Sequence, residues 1–589
     1  MQSLHEGRLQ IFMKKLSYYI SHHKLAYLFA VLSMVIAVSL DMLAPQLTRK
    51  IIDDVIVGGN MPLLPKLLIG IFFIGIGRCI FQYTKEFTFD FLAARIASDM
   101  RRNLFRHIQS LSADYFDRTN TGELMARVKD DVDHIWSALS YVSMLLIEVI
   151  FHTAIILYCM YALNWKLAVI PTIAMIISAF IAFMMESRLG RVYESISEEN
   201  AELTTVAEEN LAGVRTVKAF AREKFEIKKF LSHNQRYYEL NVKQSKVFIR
   251  YYPFFQIITR LLPLIVLFMG GNYVMDGTMT LGTLGAFVEY SMNIVWPMEM
   301  LGWLTNDMSS AFASNKKIRK IYQEKPSIIE SENPVVLKKV NGSIEFKNVS
   351  FHKADNYEIL SDISFSVEAG HTIGIMGATG AGKTSIIHLL QRLYDATAGS
   401  ILVDGINIKD MTLSQLRGNI SLVMQEVFLF SDTINENVKM GKRNQVDETI
   451  IQKAAMASQS SEFIERMEER YETVIGERGV GLSGGQKQRI SIARALAKKN
   501  PILVMDDSTS ALDMETEQQI QKSLLDLENT TKIIIAHRIS AVRHADEIIV
   551  LENGTIVERG THETLLAKHG HYYETYICQY GEYEERKEA

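Results

Sequence analysis

The chain has 589 residues, too many for a single hydrophobic core, so its length predicts two or more domains. Its formal net charge of −4 gives no support for a nucleic-acid partner. The cysteines Cys79, Cys159 and Cys578 are far apart in sequence, and this spacing excludes a disulfide framework and a cysteine-based metal site.

Six apolar windows in the first half of the chain are long enough to cross a bilayer. They are Leu25–Leu43, Leu67–Thr84, Tyr141–Leu163, Leu167–Met185, Pro253–Met275 and Leu281–Leu304. The residues before the first window include Arg8, Lys14 and Lys15 but no apolar leader, so we expect no cleaved signal peptide and a cytoplasmic N-terminus. With six spans the C-terminus is expected on the same side of a bacterial inner or plasma membrane.

Two connections between the windows, Lys85–Ser140 and Glu186–Arg250, are long and charged. Leu104, Ile108 and Leu111 recur at helical spacing in the first of them, so we expect helices that continue beyond the bilayer. The predicted fold of residues 1–319 is therefore an all-α, six-helix transmembrane domain with long intracellular extensions.

Ionisable residues within these windows need an explanation, because charge inside a bilayer is costly. They are Asp41, Arg78, Glu148, His152, Arg260, Glu289 and Glu299. One interpretation is a polar cavity whose carboxylates attract cationic cargo. The other is that several of them lie near the interfaces or pair with one another. Met and aromatic residues in the sixth window suit a promiscuous apolar site, and they suit lipid contact equally well.

The second half of the chain has the pattern of an α/β domain. Residues 320–340, with Pro326 and Pro334, predict a linker. Beyond it, strand-like runs such as Ile401–Val403 and Ser421–Met424 alternate with helical ones, which predicts an α/β fold over residues 341–589.

A glycine-rich loop in this domain separates the apolar run Thr372–Met376 from a helical stretch. Its backbone N–H groups and the helix N-terminus that follows are suited to phosphate. We expect Lys383 to reach the β- and γ-phosphates and the Thr384 hydroxyl to meet Mg²⁺. The residues predicted to contact nucleotide here are Gly377, Ala378, Thr379, Gly380, Ala381, Gly382, Lys383, Thr384 and Ser385.

A second motif, Leu482-Ser483-Gly484-Gly485-Gln486, occurs later in the domain. A phosphate loop followed by this motif resembles the ATP-binding cassette (ABC) proteins. The resemblance implies that Ser483, Gly484, Gly485 and Gln486 face the ATP of an opposite subunit, so that the working unit is a dimer.

The resemblance also implies roles for residues that follow strands of the domain. Gln425 matches a catalytic glutamine that contacts Mg²⁺, Asp506 lies on the Mg²⁺ side, and His537 matches a switch histidine that contacts the γ-phosphate. Ser510–Asp513 resembles the D-loop that communicates across the dimer. Thr473–Gly479 resembles an exporter segment that contacts the coupling helices.

The membrane half resembles ABC exporters of the multidrug type. Tyr115–Asp117 with Thr121–Arg127 is similar to their first intracellular loop, and Glu209–Phe220 is similar to their second. A membrane domain fused ahead of the cassette points to export. The resemblance thus implies an ATP hydrolase, with ATP and Mg²⁺ as cofactors, that moves hydrophobic or amphipathic drugs or lipid-like compounds. A transporter of lipid-linked molecules or peptides, and an ATP-binding regulatory subunit, are the alternatives.

Two positions depart from the family pattern, both in the site built on this chain's own phosphate loop. Asp507 stands where the family has a catalytic glutamate that acts on the attacking water. Lys353 stands where the family places an aromatic residue against adenine, and either Tyr357 or Lys353 itself is expected to cover the base. Since Ser483–Gln486 is intact, this asymmetry resembles the degenerate half of a heterodimeric exporter, which we favour over a homodimer.

Overall fold

The computed structural model describes residues 23–353, 357–442, 445–476, 479 and 481–588. The chain forms two compact units. One contains Thr119–Lys325 and the residues up to Ser110, and the other contains Leu111–Arg118 and the chain from Pro326 onward. The predicted N-terminal basic residues before Lys24, and Glu477 and Arg478 of the predicted exporter segment, lie outside the described residues.

The described part of the chain from residue 23 to residue 323 is mainly helical. Its helices are α1 (Lys24–Lys50), α2 (Leu64–Ser110), α3 (Ala113–Asp117), α4 (Thr121–Ala126), α5 (Val132–Ser137), α6 (Ser143–Leu163), α7 (Trp165–Ala212), α8 (Val214–Ala219), α9 (Glu223–Met275), α10 (Leu281–Asn293) and α11 (Val295–Gln323). Turns of π-helix at Ile51–Val57, Arg127–Asp131 and Ala138–Val142 extend or join them.

Five helical stretches among the described residues are long and apolar enough to cross a membrane. They are Lys24–Val57, Met61–Ser110, Thr121–Leu163, Trp165–Ala212 and Glu223–Met275. Helices α2, α7 and α9 have 47, 48 and 53 residues, which confirms that they continue well beyond the roughly 20 residues that a bilayer requires. The sixth predicted window is covered by α10 and α11, which meet at Ile294, and as a span it stays a prediction.

Several charged residues within the helical unit pair with one another. Arg78 Nη1 lies 2.6 Å from Asp41 Oδ1, and Lys85, which is fully buried, forms an ion pair with Glu148. A buried charge without its partner is strongly destabilising, so these pairs account for four charges at membrane depth. For Asp41, Arg78 and Glu148 this favours the pairing interpretation over a cavity of free carboxylates.

The cassette unit contains two sheets. Its strands are β1 (Ile344–His352), β2 (Glu358–Val367), β3 (Thr372–Gly377), β4 (Ala398–Val403), β5 (Ile406–Asn407), β6 (Ile420–Val423), β7 (Ile502–Asp506), β8 (Thr531–Ile535), β9 (Glu547–Glu552) and β10 (Thr555–Gly560). An antiparallel sheet has the order β2-β1-β4-β5. The second sheet has the order β10-β9-β3-β8-β7-β6, and its strands are parallel except for β10.

The helices of this unit surround the two sheets. In chain order after α11 they are α12 (Lys383–Leu390), α13 (Leu413–Gly418), α14 (Ile434–Lys439), α15 (Glu448–Ala457), α16 (Ser461–Glu465), α17 (Gly484–Ala497), α18 (Met514–Leu525), α19 (Ile539–Val542), α20 (His562–Lys568) and α21 (His571–Glu588).

The parallel sheet places several predicted site residues at one edge. Strand β7 is buried along its whole length, as expected for a parallel strand covered on both faces. Strands β3, β6, β7 and β8 end at Gly377, Val423, Asp506 and Ile535. Because the carboxyl ends of parallel strands share an edge, the loops after these strands form one surface, where ligands of open α/β sheets bind.

Candidate functional site

The phosphate loop joins β3 to α12 and depends on glycine at two positions. Gly377 has φ 146°, and a Cβ there would lie 2.2 Å from the Leu551 carbonyl oxygen of the neighbouring strand. Gly382 has φ 97°, and a Cβ there would lie 2.6 Å from Leu360 Cδ2. A side chain at either position would force the loop away from the sheet, so the sequence pattern and the backbone geometry agree.

Lys383 is the first residue of α12 and is buried, with its ammonium group inside the loop. Its Nζ donates hydrogen bonds to the carbonyl oxygens of Gly377 and Ala378, at 2.8 and 2.9 Å. Burial lowers the pKa of Lys383, and the nearby charges of Asp506 and Asp507 oppose that shift. The loop therefore holds a cation beside the helix N-terminus, as a polyphosphate site requires.

Thr384 and Asp506 lie together, as predicted for a magnesium site. Burial raises the pKa of the Asp506 carboxyl at the end of β7, while the neighbouring Thr384 hydroxyl and the charges of His388 and Lys383 lower it. A buried carboxylate beside a hydroxyl is an oxygen donor set that suits Mg²⁺, so these residues fit the predicted metal.

Asp507 directly follows Asp506 and has a left-handed backbone with φ 41°. Its N–H donates to the Ile535 carbonyl oxygen at 2.9 Å, and its own carbonyl accepts from Ser510 Oγ at 2.9 Å. Residues in this backbone region are uncommon, and Asp is among the types that tolerate it. The backbone of Asp507 is thus fixed by β8 and by the predicted D-loop, which limits how far its short carboxylate can move.

Gln425 and His537 follow the ends of neighbouring strands at the same edge of the sheet. Gln425 is exposed two residues after β6, which ends at Val423 and so is shorter than the predicted Ser421–Met424. His537 is half-buried two residues after β8, and its carbonyl oxygen accepts from Gln579 Nε2 at 2.7 Å. The topology therefore brings both predicted catalytic residues to the phosphate-loop edge.

The signature motif begins helix α17. Ser483 and Gln486 form a capping box, in which Ser483 Oγ accepts from the Gln486 N–H and Gln486 Oε1 accepts from the Ser483 N–H. Ser483 and Gly484 are exposed, and Gln488 Oε1 accepts from the N–H of Ala511 in the predicted D-loop at 3.2 Å. The motif is therefore a rigid, exposed helix N-terminus attached to the D-loop.

Lys353 and Tyr357 lie at the end of the β1–β2 hairpin. The Lys353 N–H donates to the Tyr357 carbonyl oxygen at 3.1 Å, while the Tyr357 side chain is 72% exposed. The Lys353 ammonium lies 3.2 Å from Asp117 Oδ2, on helix α3 of the first predicted intracellular loop. Of the two residues predicted to cover the base, Lys353 is therefore the one with a fixed ionic partner.

Two family models match the chain. The model described as ABC transporter transmembrane region matches residues 27–298, and the one described as ABC transporter matches residues 360–510. The ATP-dependent lipid A-core flippase of Syntrophus aciditrophicus is 33% identical over 576 residues, which cover 98% of this chain and 95% of that protein. The chain belongs to the ABC transporter family.

Further relatives are similar over nearly their whole length. A Bacillus subtilis protein provisionally named as a multidrug export ATP-binding/permease protein is 32% identical over 581 residues, covering 96% of this chain and 99% of that protein. The structure of a bacterial Atm1-family ABC exporter with ATP bound matches with a TM-score of 0.81 and 27% identity, covering 95% of this chain and 98% of that one. These matches confirm the predicted fold class, the multi-pass membrane location and an ABC transporter ATPase coupled to transport.

Glu517, which no sequence motif singles out, joins two predicted catalytic segments of this ABC exporter. Glu517 lies on α18, is only 2% exposed, and accepts a hydrogen bond from Arg538, the residue after the predicted switch histidine, at 2.8 Å. Its other oxygen accepts from Thr509 Oγ1 at 3.3 Å and from Ser540 Oγ at 3.2 Å. The only sequence signal was an acidic residue four positions after Asp513, which is ordinary for an exposed helix.

We expect Glu517→Ala to destabilise the cassette and to slow hydrolysis without weakening ATP binding. The substitution leaves Thr509 and Ser540 without this acceptor and leaves Arg538 with the Ser510 carbonyl oxygen. The cost is limited to about 2 kcal/mol because Arg538 is half exposed. Thermal unfolding and steady-state ATPase rates measure both effects, as a lower Tm and a lower kcat at unchanged KM. Glu515→Ala, an exposed position on the same helix, is the control, and equal behaviour of the two variants would contradict the positioning role.

Proposed function

We propose that this chain is the weakly hydrolysing half of a heterodimeric ABC exporter. The observation that carries the proposal is Asp507: it occupies the position beside Asp506 at this chain's own phosphate loop, while the signature motif at Ser483 is intact and exposed. In this arrangement the chain lends a complete signature to its partner's ATP, and its own site binds ATP but turns it over slowly.

The roles of the site residues follow from their positions. Lys383 donates to the phosphates in place of the loop carbonyls that it contacts, and the switch residue His537 contacts the γ-phosphate. Thr384 and Asp506 would hold Mg²⁺, which would supply positive charge to neutralise the phosphate oxygens. Gln425 adds a side-chain oxygen at the same edge. Catalysis in such a site depends mostly on positioning and electrostatics. The rate of hydrolysis is therefore sensitive to how well Asp507 orients the attacking water.

Slow turnover is the expected consequence of the shorter Asp507 side chain. A misplacement of about 1 Å can cost on the order of a hundredfold in rate. The Asp507 backbone is held by the Ile535 carbonyl oxygen and by Ser510, so a shift of the chain cannot readily recover the missing methylene. The site thus keeps the groups that bind nucleotide and loses efficiency in the group that orients water.

We propose that the second intracellular loop, Glu209–Phe220, forms part of the dimer surface of the helical unit. Helix α8 contains no buried residue, and the flanking Leu211 and Phe220 are 75% and 74% exposed. Exposed apolar residues in a charged, extramembrane stretch mark an interaction surface. We assign this loop to the partner's cassette, so that closing the two cassettes on ATP turns the membrane pathway outward by alternating access.

The cargo that we propose is hydrophobic or amphipathic. One relative is named a lipid A-core flippase and another a multidrug export protein, so both kinds of cargo occur among chains of this similarity. Within this chain, the pairing of Arg78 with Asp41 and of Lys85 with Glu148 leaves no net charge on these four groups. Pairing removes Asp41 and Glu148 as free carboxylates for a small cation, which favours apolar cargo.

Expression of the chain alone and together with candidate half-transporters tests the proposal. We expect the chain to copurify with a different half-transporter, identified by mass spectrometry. The pair should hydrolyse ATP, with stimulation by hydrophobic cargo, far faster than the chain alone. Brisk hydrolysis by the lone chain that Asp507→Asn abolishes would establish a competent homodimer and overturn the proposal.

A further inference from the structure

The base end of this chain's own nucleotide site carries an ion pair to the first intracellular loop. Asp117 Oδ2 lies 3.2 Å from Lys353 Nζ and accepts a hydrogen bond from the Tyr394 hydroxyl at 2.8 Å. Burial, together with the hydrogen bond to Asp117, raises the pKa of Tyr394, so its hydroxyl stays protonated and donates. All three residues belong to the same compact unit, and one carboxylate oxygen fixes both the ammonium and the phenol.

Lys353 is placed beside the phosphate loop by the β1–β2 hairpin. Strand β2 contacts the loop directly, since a Cβ on Gly382 would lie 2.6 Å from Leu360 Cδ2 and 2.9 Å from the Ile359 carbonyl oxygen. Lys353 closes the same hairpin through its bond to the Tyr357 carbonyl oxygen. A nucleotide whose phosphates occupy the loop can therefore extend its base toward this hairpin end.

His388 on α12 also indicates that the hairpin end at Lys353 is close to the phosphate loop. His388 lies one helical turn after Thr384, and its ring is 5.8 Å from that of Tyr394. Burial lowers the pKa of the His388 imidazole, the charges of Asp506 and Asp117 raise it, and the Lys353 ammonium lowers it further. The Lys353 ammonium is thus within electrostatic reach of the helix that begins the phosphate site.

We propose that Lys353 contacts the nucleobase and makes this site bind GTP more tightly than ATP. A lysine ammonium has three donors and no acceptor, and Asp117 uses one of them. Guanine presents two acceptors, O6 and N7, on one edge, whereas adenine presents N7 beside a donor amino group. An ammonium held at the base therefore favours guanine, whereas stacking on an aromatic residue would accept either base.

Asp117 and Tyr394 are the positioning residues in this arrangement. Asp117 neutralises the ammonium and fixes its direction, and the Tyr394 hydroxyl holds the carboxylate in place. The Lys353 side chain is 57% exposed, so a free lysine at this position would sample many rotamers. Base discrimination consequently depends on residues of the first intracellular loop as well as on the cassette.

Equilibrium binding of the β,γ-imido analogues of GTP and ATP to the purified full-length chain tests the proposal. This measurement rests on the proposed nucleotide site of this chain but not on the identity of its dimer partner or on hydrolysis. We expect the GTP analogue to bind about fivefold more tightly than the ATP analogue. Lys353→Met should bring the ratio of the two dissociation constants to about one, and Lys353→Tyr should do the same while strengthening binding of both.

Two further variants separate base reading from simple loss of the site. Asp117→Asn should weaken the preference for the GTP analogue, whereas Asp114→Asn should retain it, because the Asp114 carboxylate contacts Ser327 and Arg118 and not Lys353. Lys383→Ala should abolish binding of both analogues. Tighter binding of the ATP analogue by the native chain, or a ratio that Lys353→Met leaves unchanged, would overturn the inference and leave the hydrolysis-based proposal intact.

Discussion

Ser483→Ala in this chain is expected to lower the ATPase rate of the heterodimer on the order of a hundredfold, the effect of removing one donor aimed at transition-state charge. The Ser483 hydroxyl is exposed at the N-terminus of α17, where it is available to the partner's nucleotide. Asp507→Asn acts only at the other site and should leave most of the rate intact. Steady-state ATPase measurements on the two purified variant complexes make the comparison.

Controls for this prediction must separate catalysis from folding. Ser483 also caps α17 through its bond to the Gln486 N–H, and loss of such a cap costs about 1 kcal/mol. Ser483→Asn keeps a capping side chain but changes the group presented to ATP, so it should retain the Tm and still lose activity. Equal losses for Ser483→Ala and Asp507→Asn would contradict a division of labour between the two sites.

The site elements that the sequence predicted well are those determined by local pattern. The phosphate loop, strand β7 and the Leu482–Gln486 motif each depend on residues within a few positions of one another. Glycines, buried apolar runs and capping residues at such positions each favour one backbone conformation, because other conformations are strained or leave polar groups unpaired. For the same reason the long apolar helices could be predicted from composition. The break between α10 and α11 at Ile294 could not, because the apolar pattern continues across it.

Contacts between polar residues distant in sequence could not be predicted. Tyr394 and Asp117 are 277 positions apart, and neither belongs to a motif that implies the other. Lys85 lies just outside the predicted second window, yet it is fully buried against Glu148. Such pairs form because the fold brings the residues together, and a single sequence carries no signal of that placement. Tyr394 and Asp117 are also the residues that position Lys353 for the proposed contact with the nucleobase.

Asp507→Glu is expected to raise hydrolysis at this chain's own site on the order of ten- to a hundredfold. The substitution supplies the missing methylene, so the carboxylate can reach the attacking water that Asp507 holds too loosely. A glutamate must adopt the left-handed backbone of this position, with φ 41°, at a cost of about 1–2 kcal/mol, which should appear as a modest loss of Tm.

The gain is best measured in a heterodimer that already carries Ser483→Ala, because that change silences the partner's site and exposes the rate of this one. In that background Asp507→Glu should restore a substantial ATPase rate, and the further change Lys383→Ala should remove it again. Asp507→Asn has no carboxylate to orient water and should give no gain. If Asp507→Glu and Asp507→Asn hydrolyse ATP equally slowly, side-chain length is not what limits this site. The slow hydrolysis would then result from how the nucleotide is held at Lys353 rather than from poor orientation of the attacking water.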